Sequence, residues 1–247
     1  MRKRFEVIRL IKLYLAYHMN FLTCIILGIM LILWSVVLFL NAGIPLEMED
    51  YLRNYKMYHF NYFDQSLYVL QILDAFIISF LIGTEVHSFS TFDSMFVANV
   101  NRQKVIIAKL ISNFLLFIGI QTFQILLLYL IPTIFYPNYL FELKALLLIL
   151  YFPISFLILF IAGELILVLF HSYFVSILIF ILYLVIFISK KIENISKIVV
   201  TFIPNVTYKG ENIYQLQGNL LITLSLSLLL VIGISLLFQK KDLKNYN

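Results

Sequence analysis

Phe21 to Asn41 reads FLTCIILGIMLILWSVVLFLN, twenty-one residues without a charge. A hydrocarbon core about 30 Å thick takes about 20 apolar residues to cross as a helix, since nothing in it hydrogen-bonds an open backbone. The stretch is therefore expected to be a transmembrane helix. Five more segments share its character, at roughly 67–83, 105–135, 145–170, 173–189 and 220–238. Six spans follow, the second and fifth near the lower length limit. His171-Ser172 separates the fourth from the fifth and is expected to turn tightly at a membrane face. Pro132 and Pro153 lie inside spans and are expected to kink them, which neighbouring helices in a membrane tolerate.

Composition agrees with this reading. Of the 247 residues, 62% are hydrophobic and 13% charged, against about a quarter charged in soluble domains, so a soluble fold would lack the polar surface to cover itself. No polar block is long enough for a second domain, and residues 1–247 are expected to form one membrane domain of all-α, polytopic class. The basic start Met1-Arg2-Lys3-Arg4 is compatible with a signal peptide, but the run after it is longer than such a peptide's apolar region and lacks a cleavage pattern. It reads as a retained span. Cys24, the one cysteine, excludes an intramolecular disulfide and a cysteine zinc site. The net charge of +5 sits beside apolar segments, which fits anionic membrane lipids and not nucleic acid.

Lys and Arg also orient the spans. With the N-terminus inside, residues 1–20 carry five, 84–109 three and 239–247 three, eleven in all, against seven on the opposite side. Both termini are thus expected in the cytoplasm of a cell membrane. The abundance of Ile, Leu, Phe, Tyr, Lys and Asn points to an AT-rich, bacterial source. Ahead of the first span, Ile8, Ile11 and Leu15 share one helical face while Arg2, Glu6, Arg9 and Lys12 share the other. That pattern predicts a helix over residues 1–20 lying in the inner headgroup layer.

Between the second and third spans, Val86, Phe89, Phe92 and Phe96 recur at helical spacing among Glu85, His87, Ser88, Ser90, Thr91 and Asp93. A short amphipathic helix at the cytoplasmic face is expected, its aromatic side docked on lipid, on the bundle or on a partner. Read by itself, the segment is also a solvated connector whose phenylalanines dip into the interface. Glu85, four residues, Ser90-Thr91, then Arg102 and Lys109 resembles the loop of type-2 ABC exporter membrane subunits. Those subunits carry Glu, four residues, Gly-Thr, an arginine and then a lysine. Here Ser90 stands for the glycine, and Asn99 for the proline that usually precedes the arginine. The ending Phe238-Gln239-Lys240-Lys241-Asp242-Leu243 is similar to the basic-then-acidic finish of the same subunits.

The resemblance implies a permease subunit, paired with a second copy or a similar permease and driven by a cytoplasmic ABC ATPase dimer. It gives Phe89, Phe92 and Phe96 as apolar contacts of a coupling helix, and Glu85, Arg102 and Lys109 as charges fixing the loop against the spans or the ATPase. No Gly-x4-Gly-Lys-Ser/Thr phosphate loop occurs in the chain, so no cofactor is expected on it; ATP and Mg belong to the partner. An amphipathic or antimicrobial peptide is the expected substrate.

Ionisable side chains inside spans face a bundle interior, an aqueous path or a partner, because hydrocarbon penalises them. Asp74 lies deep in the second span with Gln71 one turn earlier, and Gln121 and Gln124 add amides in the third. Asp74, Gln71 and Gln124 suit a translocation path, and equally well hydrogen bonding that only holds the bundle together. Glu164 is expected nearer the inner face, where exposure to water is less costly. The four histidines, His18, His59, His87 and His171, fall in separate segments with no His-Glu-x-x-His, which argues against an intramembrane hydrolase. A non-transporting membrane binder, such as an immunity protein, is the remaining class.

Overall fold

The computed structural model describes residues 2–42, 62–63, 65–84, 102–135, 147–170, 174–189, 200, 205–208 and 214–240. The segment carrying Glu85, Phe89, Phe92 and Phe96 lies outside them. The helices are α1 (Arg2–His18), α2 (Phe21–Ala42), α3 (Gln65–Thr84), α4 (Arg102–Phe135), α5 (Leu148–Phe170), α6 (Phe174–Ser189) and α7 (Leu220–Lys240). Five of them, α2, α3, α4, α5 and α7, are long and apolar enough to cross a membrane, which is compatible with a multi-pass membrane protein. The expected fifth span forms α6, which has 16 residues, about 24 Å at 1.5 Å per residue, and falls short by length.

Asparagine opens two of the spans. The Asn20 side-chain oxygen accepts from the Thr23 backbone N–H at 2.8 Å, while the Asn219 oxygen accepts from those of Leu221 and Ile222 at 3.1 and 3.3 Å. Each satisfies N–H groups that a first helical turn leaves without an acceptor. Gly218, just before Asn219, has φ 140°, a backbone conformation that suits glycine.

Asn205–Tyr208 and Tyr214–Gln217 pair as antiparallel strands β1 and β2, with Asn205 opposite Gln217 and Tyr208 opposite Tyr214. Tyrosine, valine and threonine favour the extended backbone there. The hairpin rests on α5.

One buried cluster runs through α2 to α7, with Trp34, Leu38, Leu70, Ile78, Phe117 and Phe152 fully enclosed. The outward faces are just as apolar: Phe21, Leu221 and Phe174 are each more than three-quarters exposed. A helix apolar all round suits a lipid solvent, where packing and interhelical hydrogen bonds do the holding. α4 is the hub, touching α1, α2, α5 and α7. It runs through Pro132, which has no N–H to offer the Leu128 carbonyl four residues back. The Tyr62 hydroxyl donates to that carbonyl at 2.9 Å. One turn earlier, the Trp34 indole N–H donates to the Gln124 backbone carbonyl at 3.0 Å. Both bonds are buried, and together they fasten α4 to α2 and to the residues preceding α3.

α1 is a helix in which Ile11 and Leu15, two of the three apolar residues read as one face, pack inward while Ile8 is 52% exposed. Tyr14 is buried against Val105 and Ala108 of α4, with Val7 and Leu10 beside it. At the end of α1, His18 is buried, its Nδ1 3.5 Å from the Thr84 hydroxyl at the end of α3.

Candidate functional site

Among the described residues two buried polar clusters interrupt the apolar interior. The first lies at mid-span. Asp74 is nine residues into the twenty-residue α3, about 14 Å from its start, and has no exposed surface. Gln121 of α4 donates from Nε2 to Asp74 Oδ2 at 2.7 Å. Gln124 is one turn further along α4, so it shares that helix face, and is as fully buried. Tyr183 of α6 is buried as well. Asp74 Oδ1, Gln121 Oε1 and both amide atoms of Gln124 have no hydrogen-bond partner among the described residues.

Of the three residues expected along a translocation path, Asp74 and Gln124 thus fall in one buried region and Gln71 is half-buried. The partner that Asp74 takes is Gln121. Its selection depends on the alignment of α3 against α4, which sequence spacing within either helix does not contain.

The second cluster ties α4 to α5. The Lys109 ammonium lies 3.2 Å from Glu164 Oε2, and the Asn113 amide donates to Glu164 Oε1 at 3.0 Å. Lys109 is 5% and Glu164 2% exposed, so the expectation of a water-exposed Glu164 is corrected: ammonium and amide meet the carboxylate inside the bundle. Beside Glu164, Gly163 lets α5 approach α3 and α6. A Cβ there would lie 2.6 Å from Ile82 Cδ1 and 3.0 Å from Ile179 Cδ1.

Lys109 therefore stands apart from any surface, held by Glu164. Arg102 is the first residue of α4, and its side chain is outside the described set along with Glu85 and the three phenylalanines. An open groove of about 200 Å³ between α4, α5 and α7 has an almost wholly apolar lining, as a surface against acyl chains does. Among the described residues no three His, Cys, Asp or Glu side chains gather as they do around transition metals.

No family model, no curated protein and no solved structure matches this chain.

Proposed function

We propose that the chain is the membrane-spanning permease subunit of a type-2 ABC exporter. It works with a second copy or a similar permease, and its motor is an ATPase on a separate polypeptide that binds ATP and Mg. In this reading α6 is a sixth span, α1 lies in the inner headgroup layer, both termini are cytoplasmic and the site is a bacterial cell membrane. The cargo is an amphipathic or antimicrobial peptide.

The observation that carries the reading is the pattern Glu85-x4-Ser90-Thr91, Arg102, Lys109 together with its anchorage. Residues 85–101 of the pattern connect the end of α3 at Thr84 to the start of α4 at Arg102. α1 touches both anchor points, through His18 beside Thr84 and through Tyr14 against Val105 and Ala108. A push on such a loop would reach α1, α3 and α4 together. Lys109, locked to Glu164, fixes the base of α4 against α5.

The test is recovery of the motor. Purified from its native membrane under mild crosslinking, the wild-type chain should bring down an ATPase whose sequence contains a Gly-x4-Gly-Lys-Ser/Thr loop. Phe92→Asp should lose that ATPase at unchanged membrane levels of the chain. An intact complex with Phe92→Asp removes the coupling role of the aromatic face, and no ATPase with the wild type removes the exporter assignment.

A further inference from the structure

Asp74 presents a charge-balance problem that Lys109 and Glu164 do not share. Its only hydrogen bond comes from a neutral amide, and among the described residues no Lys, Arg or His pairs with it. An isolated carboxylate in a low-dielectric interior is costly, and either a proton or a counter-charge relieves it. Three oxygens lie in this region, and Asp74 Oδ1, Gln121 Oε1 and Gln124 Oε1 have no donor among the described residues. All three side chains have no exposed surface, and the hydrogen bonds of this region join α2, α3 and α4.

We propose that Asp74 Oδ1 and the amide oxygens of Gln121 and Gln124 bind one monovalent metal cation of sodium's size and charge at the middle of the bundle. Hard cations take oxygen ligands, and here a carboxylate and two amide carbonyls supply them. One carboxylate balances one positive charge, which favours a monovalent over a divalent ion. Full burial admits an ion or a water but no larger ligand without parting the helices. The cation ties α3 to α4 at the depth where Gln121 bonds Asp74. This binding does not depend on the chain being a transporter.

The full-length protein in lipid nanodiscs is the material for the test. Binding of ²²Na⁺ should be saturable, about one per chain, displaced by unlabelled NaCl and not by choline chloride. Melting temperature should rise by about 5 to 10 °C when choline chloride is replaced by NaCl at a hundredfold excess over the dissociation constant. KCl should give a smaller rise. Asp74→Asn keeps an acceptor for Gln121 but removes the charge, and should abolish both responses; Gln124→Leu should weaken ²²Na⁺ binding by tenfold or more. Absence of saturable ²²Na⁺ binding by the wild type overturns the proposal, whatever the variants do. So does a sodium-dependent rise that persists in Asp74→Asn.

Discussion

The two buried polar clusters of this bundle differ in charge balance. Lys109 and Glu164 bring opposite charges to 3.2 Å, and Asn113 donates to the carboxylate oxygen the lysine leaves. Asp74, at the level of Gln121 twelve residues further along α4, has among the described residues one amide donor and no cation. A buried pair weighs the desolvation of two ions against their attraction, so removing one partner costs far more than removing both. A lone carboxylate has no such partner to strand. Neutralising it should therefore cost little, where neutralising half of the pair costs much.

The largest effect expected is Lys109→Met, which leaves Glu164 charged and buried: about 3 to 5 kcal/mol lost in chemical unfolding of the nanodisc-embedded protein. The double variant Lys109→Met with Glu164→Met should recover most of that loss. If the double variant is as unstable as the single one, the cost comes from packing and not from a stranded charge. Next is Gly163→Val, which presses the α5 backbone outward beside Glu164 and should cost about 1 to 3 kcal/mol by overpacking, measured in the same way. Gly163→Ala should cost less, because the atoms it meets are the ends of two isoleucine side chains.

A smaller effect belongs to the helix that carries both clusters. Tyr62→Phe removes the donor to the Leu128 carbonyl and should cost about 1 to 2 kcal/mol. In a Pro132→Ala background, where residue 132 regains the N–H for that carbonyl, the same change should cost less, and a double-mutant cycle reads the difference. The smallest is Asp74→Asn in choline buffer, expected within about 1 kcal/mol of the wild type, in keeping with the modest value of single interhelical hydrogen bonds in membranes. A loss there as large as that of Lys109→Met would erase the contrast between the clusters.

Much of the architecture is legible in the sequence because hydrophobic length is a direct measure of a crossing helix. Segments at 21–41, 67–83, 105–135, 145–170 and 220–238 became long helices with ends moved by a few residues. The Asn20 and Asn219 caps, which the hydropathy pattern does not mark, act only on their own first turns. What stays hidden is lateral. The α1 face turned on whether Tyr14 or Ile8 meets α4, a question that hydropathy alone decides wrongly. Lys109 reads as a topology signal because basic residues gather at span ends for orientation. Counting depth gives a better clue: Lys109 is seven residues from the start of α4 and Glu164 six from the end of α5, so antiparallel neighbours bring them level. The hairpin at 205–217 is a local matter, and Asn205-Val206-Thr207-Tyr208 carries strand-forming residues for it.

Lys109 and Gln121 also constrain how α4 can move. Twelve residues separate them, about 18 Å of rise, and at 3.6 residues per turn their bearings around the axis differ by about 120°. One grips α5 and the other α3. A rod clamped at two heights in two directions can neither spin nor slide without breaking both clamps. Any large motion of this bundle that keeps its buried hydrogen bonds must carry α3, α4 and α5 as one block.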